Sequence, residues 1–288
     1  MSGSIRSSVK DPKSGKMVYK SVALNRFKTS EEAKQYMKDW RESIKKGDTI
    51  PEDTIPDATP ITDAKQAEAI IMNIPADFTK DLKMNINYKT GNTFLLLGSS
   101  KAGKTNLLKY IYDTYYKSEK NFISFLFAEN VHDRTYNSVN NKVIKTHIFN
   151  PTIIKVIHKL QRGSKNKYNF LVMFDDIVQE SAKNNETVKK LITSYRNAKI
   201  SSIISVQAPK MVSRTNRGNL NYITFHAFRN DEHIEDAIDM FLGSRYPFKG
   251  LKKEEKISLY RKLTDDHHFL FLDTINNIFY RSKIGLMR

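Results

Sequence analysis

Apolar positions in this chain fall into short runs with two different spacings, and the spacings alternate. Residues 93–97, 122–127 and 170–174 are nearly continuous apolar stretches of strand length, and 200–206 is a strand-length stretch of isoleucine and valine with three serines. That pattern predicts strands buried on both faces. Residues 143–149 and 222–228 predict two more. Between the strands, apolar residues recur three and four positions apart. This predicts helices at 63–72, after Thr105, at 151–160, 185–197, 232–242 and 253–263. Residues 75–90 read as irregular chain or an edge strand, and 161–167 as a loop. Strand and helix in alternation predict an α/β fold: a mostly parallel sheet with helices on both faces. The end of the chain differs in kind. Phe269–Leu272, a turn at Asn276-Asn277 and Ile278–Tyr280 predict a C-terminal β-hairpin closing the sheet edge.

Residues 1–60 read as a small basic appendage with a linker, and 61–288 as the main domain. Met17-Val18-Tyr19 predicts a short strand. Thr29 and Glu32 are spaced as a capping box for a helix carrying Ala33, Tyr36, Met37, Trp40 and Ile44 on one stripe. Pro51, Pro56 and Pro60 mark the linker.

The turn between the first buried strand and its helix carries chemistry. Gly98-Ser99-Ser100-Lys101-Ala102-Gly103-Lys104-Thr105 matches G-x-x-x-x-G-K-[ST], with a strand before it and a helix opening at Asn106. The glycines let the backbone curl until several N–H groups face one anion. Lys104 supplies charge to the β- and γ-phosphates, and the Thr105 hydroxyl can ligate Mg²⁺. Residues 98–106 are therefore the expected nucleotide-binding segment. The strand at 170–174 ends on Asp175 and Asp176. In a parallel α/β sheet, ligands gather at the carboxyl ends of the strands, so this pair converges with the loop. Asp175 can anchor the metal; Asp176 can polarise an attacking water, or else merely cap the next helix or loop. Gln207 closes the strand at 200–206 and can sense the γ-phosphate or position water. No guanine-reading N-K-x-D string occurs: Asn166-Lys167-Tyr168-Asn169 lacks the acid. Two consecutive acids suit an ATP hydrolase.

Charge widens the picture. The chain carries 48 basic and 31 acidic residues, a net +17, which points to a polyanionic partner, nucleic acid first. Lys165, Lys167, Lys210 and Arg214 are candidates for DNA backbone contact. With no cysteine, disulfides, zinc ribbons and thiol nucleophiles are excluded. No apolar run approaches the ~18 residues of a membrane span, and the first residues lack the apolar core of a signal peptide. Asp265-Asp266-His267-His268 reads as a solvated turn, because adjacent side chains entering a strand face opposite ways.

Taken together, the loop, the double acid, Gln207, the Arg196-Asn197 pair and the R-x-N element Arg217-Gly218-Asn219 resemble the genome-packaging ATPases of large DNA viruses and their satellite viruses, in the FtsK–HerA branch of P-loop motors. The resemblance spans about residues 90–285, including the C-terminal hairpin, and leaves 1–60 unexplained. Asn197 stands where that family usually has His, a departure. The resemblance implies ATP and Mg²⁺ as cofactors and a homo-oligomeric ring, pentamer or hexamer. Such a ring would drive double-stranded DNA into a capsid, beside capsid proteins, in host cytoplasm or virion and without a membrane. It further implies an arginine reaching the neighbour's ATP site; Arg217, Arg214 and Arg196 are the candidates, Arg217 favoured by its place in R-x-N. Two other readings remain: a translocase of a plasmid or mobile element, and an ATP-dependent assembly protein that does not translocate.

Overall fold

The structure, a computed structural model, describes residues 4–10, 17–23, 31, 34–36, 38, 39, 42, 78–119, 122–131, 134–137, 139, 143–176 and 186–284. It divides the chain into two units, Met1–Thr62 and Asp63–Arg288. In the first, β1 (Ser4–Lys10) and β2 (Met17–Ala23) form an antiparallel hairpin. The described residues between 31 and 42 are helical, where the sequence predicts an amphipathic helix. Its capping pair Thr29 and Glu32, the proline-marked linker and the helix expected at 63–72 lie outside the described residues.

The second unit is built on an eight-stranded sheet. Its strands are β3 (Thr93–Leu97), β4 (Phe122–Ala128), β5 (Ile144–Thr146), β6 (Asn169–Asp175), β7 (Ile200–Val206), β8 (Tyr222–Phe225), β9 (His268–Asp273) and β10 (Ile278–Lys283). They are ordered β10-β9-β8-β3-β7-β6-β4-β5. The six strands from β8 to β5 run parallel. β9 and β10 add antiparallel at the other edge, as the closing hairpin. Every residue of β3 and β7 is buried, as befits the centre of the sheet; in β7 the buried residues include the small Ser201, Ser202 and Ser205.

Helix α1 (Lys104–Ile111) follows β3 and is prolonged by a wider turn at Tyr112–Tyr116. Leu107, Leu108, Ile111 and Tyr116 join Phe94, Leu96 and Tyr222 in the core, where Phe94 stacks on Tyr222 with ring centres 5.0 Å apart. α2 (Pro151–Gly163) is capped by Asn150, whose side chain accepts from Thr152 N, with Pro151 at the first helical position. α3 (Glu186–Thr193) and α4 (Tyr195–Ala198) lead into β7, and α5 (Arg214–Arg217) into β8. α6 (Asp231–Ala237) and α7 (Lys253–Leu263) precede the hairpin. No helix among the described residues is long and apolar enough to cross a membrane.

Three expectations shift. The strand expected at 143–149 pairs only over Ile144–Thr146, at the edge of the sheet against β4; Ile144 and Ile148 stand exposed, so little apolar burial draws the rest of the stretch into the sheet. The helix expected at 185–197 breaks at Ser194. There the Thr193 and Ser194 hydroxyls donate to the carbonyls of Lys189 and Lys190, competing with the helix's own bonds. The strand expected at 222–228 ends at Phe225, for a reason that belongs to the site.

Candidate active site

Gly98, Gly103, Lys104, Thr105, Asp175 and Asp176, all singled out in the sequence, meet at the carboxyl end of the parallel strands. β7 lies between β3 and β6, so the glycine loop and the two acids face each other across one intervening strand. Gly98 leaves β3 where its missing Cβ is required: a methyl there would sit 2.6 Å from His226 Cβ. Gly103 adopts φ 97° immediately before α1, a conformation that favours glycine. The loop thereby presents the amino end of α1, the positive end of its dipole, to the site.

Lys104 is buried. Its Nζ donates to the carbonyls of Gly98 (2.8 Å) and Ser99 (3.0 Å) and lies 3.4 Å from Asp176 Oδ1. Asp176 sits at φ 52°, just past β6, and also accepts from Ser205 Oγ at 3.2 Å. Asp175 is buried; its Oδ2 accepts from Thr105 Oγ1 at 2.6 Å and from the Tyr136 hydroxyl at 2.7 Å. Burial, then the charge of Asp175, holds the Tyr136 phenol well above its usual range, so it remains a donor. Asp175 Oδ1 is buried with no partner. Such an orphaned carboxylate oxygen is costly unless a cation completes it. Thr105 and Asp175 together offer hard oxygen donors, the set Mg²⁺ takes when phosphates and water fill the rest of its shell. Among the described residues no cluster of three acidic, histidine or cysteine side chains competes as a metal site.

One buried residue was hidden from sequence reading. His226 follows β8 and lies directly beneath the loop. Its N–H donates to Leu97 O at 2.7 Å, and its ring stacks on Phe269. Nδ1 stands 3.1 Å from Ala102 O, which can only accept, so Nδ1 carries the proton; Nε2 then accepts from Thr224 Oγ1 at 3.3 Å. Burial, reinforced by the Lys104 charge, lowers its pKa to about 3. The ring is a neutral prop under a cationic loop. The chain beyond holds the loop as well: Ser99 N donates to Ala227 O, and Arg229 N to Ser99 Oγ. Departure of the chain toward the loop is what ends β8 at Phe225. Tyr136, in a polar stretch with no periodicity, left no signal either. Ser205 was visible only as one polar residue in a buried strand.

Gln207 is exposed at the tip of β7, between the loop strand and the acid strand. The arginines are elsewhere. Arg196 and Arg217 line one cavity of ≈ 690 Å³ together with Tyr195, Asn219, Asn221 and Thr274. Asn221 N donates to the carbonyl of Thr93, the first residue of β3, so this cavity lies at the amino end of the parallel strands, a strand's length from the phosphate loop. Arg217 Nε is buried there without a partner, and Arg196 Nε donates to the Tyr195 hydroxyl at 2.7 Å. Lys210 is paired with Glu232 (3.0 Å) and Asp236 (3.1 Å), so its charge is engaged within the chain. Lys165, Lys167 and Arg214 are exposed. Asp265 and Asp266 pair with Arg281 and Lys283 in an exposed turn.

No family model and no curated protein matches the chain. Solved structures do. The genome packaging NTPase of Sulfolobus turreted icosahedral virus 2, in complex with AMP, is 17% identical; the match covers 70% of this chain and 100% of that one with a TM-score of 0.50. The same protein in complex with ATP-gammaS gives 16% identity, coverage of 70% and 100%, and a TM-score of 0.50. The DNA-packaging ATPase of Sulfolobus turreted icosahedral virus matches at 14% identity over 67% of this chain and 98% of that one, TM-score 0.49. The chain thus has a P-loop ATPase fold, one that it shares with a viral genome packaging NTPase.

Proposed function

We propose that the chain is an ATP-hydrolysing motor that moves double-stranded DNA into a capsid. The observation that carries the ATPase half of this reading is the meeting of Lys104, Thr105, Asp175 and Asp176 across β7. Lys104 and the loop N–H groups hold the β- and γ-phosphates, and Thr105 with Asp175 holds Mg²⁺. When bound, Mg²⁺ neutralises charge on the phosphate oxygens. Asp176, less buried than Asp175, takes the proton of the attacking water, while Lys104 and Ser205 keep it aimed. Gln207 positions that water from the strand tip. Arg217 serves a neighbouring subunit, since its cavity lies at the opposite end of its own sheet. A homo-oligomeric ring of five or six copies is the assembly this requires, working beside capsid proteins. The net charge of +17 supports a nucleic-acid track.

The test is ATP turnover by the assembled protein with and without long duplex DNA. We expect DNA to stimulate hydrolysis, and Lys104→Ala and Asp176→Asn each to lower kcat by about 10²–10⁴-fold. Asp176→Asn retains ATP binding, because Asp175 still supports the metal. Turnover indifferent to duplex DNA would refute the motor.

A further inference from the structure

Two cavities outside the nucleotide site adjoin one another between α2 and α3. One, of ≈ 560 Å³, is lined by Lys155, Lys189 and Thr193 among others. The second, of ≈ 380 Å³, is lined by Gln161, Lys165 and Asn197 among others. His158, Arg162 and Lys190 line both, so they form one groove. Among the described residues five cationic side chains face it against a single carboxylate, Glu186, which is held by Lys189 at 3.2 Å. Lys155 and Arg162 stand two helical turns apart, about 10 Å along α2.

The floor is fixed rather than incidental. Gln161 is buried and its amide donates to the carbonyls of Tyr168 (2.7 Å) and Ala198; Asn166 donates to Asn197 O at 2.8 Å. His158 is only 7% exposed, and its Nε2 is buried with no partner. Burial and the charges of Lys190 and Arg162 lower its pKa, which keeps it neutral beside those cations.

We propose that the α2–α3 groove is a docking surface for the phosphodiester backbone of duplex DNA; this rests on the reading of the chain as a DNA motor. By residue type its lining is charged or polar throughout, with Ala198 the one apolar side chain among the described residues, and the stems of the lysines and the arginine form much of the wall. The cores of protein interfaces are depleted in charged residues, whereas five cations crowd this groove, which favours a polyanion over a protein partner. Among the described residues no phenylalanine, tyrosine or tryptophan lines the groove, so the bases of a single strand have no such ring to stack on. Lysine, arginine, threonine and amide groups are what phosphate contacts use, and they carry no sequence preference.

The experiment titrates a fluorescent duplex against the full-length protein over a range of salt. The parent is compared with Lys155→Ala/Lys190→Ala and with a control of equal charge, Lys89→Ala/Lys249→Ala, at exposed positions elsewhere. Each lost phosphate contact should flatten the slope of log K on log salt by about 0.9, so the groove pair should lose nearly two from the slope and about tenfold or more in affinity. ATP affinity and hydrolysis without DNA should match the parent, which shows that the variant is folded. A parallel titration with polyglutamate identifies the other occupant. If the groove pair binds duplex like the control, the groove proposal is wrong while the motor reading stands. Loss of polyglutamate binding with duplex binding retained would assign the groove to an acidic protein and overturn it equally. A parent that binds no duplex removes both readings.

Discussion

His226 bears on the phosphate loop without touching phosphate, and its ionisation makes the arrangement measurable. A histidine ordinarily titrates near 6.5; here the value falls to about 3, with burial the main cause and Lys104 adding to it. In the folded protein the ring is neutral, whereas in the unfolded chain it takes a proton below pH 6.5. Stability is therefore full above that pH and is lost as pH falls from 6.5 toward 3, by up to ~1.4 kcal/mol per unit. His226→Phe keeps a ring on Phe269 but abolishes this titration, and it leaves Ala102 O without its donor. We expect denaturant unfolding of the variant to be less steeply weakened between pH 6.5 and 4.5. ATP should bind about tenfold more weakly at pH 7.5, as expected for one lost hydrogen bond in the cradle. His226→Asn, with an amide donor in place of Nδ1, should recover most of that affinity. Equal acid sensitivity in His226→Phe and the parent would show that the ring is not the titrating group. Gly98, Lys104, Thr105 and the acid pair could be singled out because phosphate and metal chemistry restricts residue types at fixed spacing, and the structure brings these residues together. His226, Ser205 and Tyr136 could not be singled out, since a support need only reach one atom of the loop or of an acid, and many sequence positions could supply it.

At the scale of elements, the central strands are held in register at their amino ends by one side chain. Asn221, buried before β8, accepts from Thr93 N at 2.9 Å and donates to the Tyr195 hydroxyl at 2.8 Å, while its own N–H donates to Thr93 O and Thr93 Oγ1. It joins β3, β8 and the short helix before β7. Asn221→Ala orphans the Thr93 N–H inside the sheet, and we expect a loss of about 2–3 kcal/mol in denaturant stability. The carboxyl-end chemistry is a strand's length away, so Mg²⁺-dependent ATP affinity should persist in the folded fraction. Unchanged stability would mean that water enters and replaces the amide. Continuity of apolar runs made these strands readable: β7 and α7 have the bounds that periodicity gives them. Where the pattern misled, backbone bonding decided. Residues 143–149 are apolar enough for a strand, yet only three pair with β4, and Ile144 and Ile148 stay exposed. Residues 185–197 have helical spacing, yet the helix breaks at Ser194, where the Thr193 and Ser194 hydroxyls also bond the carbonyls of Lys189 and Lys190. The order of the strands was beyond reach, because insertion of β7 between β3 and β6 depends on crossovers that no local pattern encodes.

For the molecule as a whole, the decisive arrangement is that the glycine loop with the acid pair and the two arginines sit at opposite ends of one sheet. Lys104, Asp175 and Asp176 occupy the carboxyl end, and Arg196 and Arg217 the amino end, separated by the five residues of β3, roughly 13 Å of strand. A guanidinium so placed cannot serve its own triphosphate. If Arg217 contributes to hydrolysis, it does so across a head-to-tail contact between copies, the kind that closes into rings. Mixing tests this without any structure of the assembly. Lys104→Ala subunits lack a working phosphate loop but carry the arginine; Arg217→Ala subunits carry the loop but lack the arginine. Each protein alone should be nearly inactive, with Arg217→Ala down by about 10³-fold or more in kcat. Co-assembled in equal amounts, about a quarter of the contacts unite an intact loop with an intact arginine, and turnover should recover toward that fraction. Recovery cannot come from subunits acting singly, because neither contains both groups. Full activity of Arg217→Ala alone would remove the arginine from the mechanism. Inactivity of both parents with no recovery on co-assembly would mean that Arg217 supports the fold of its own cavity, where its buried Nε and its place over the Phe241 ring already tie it to the sheet.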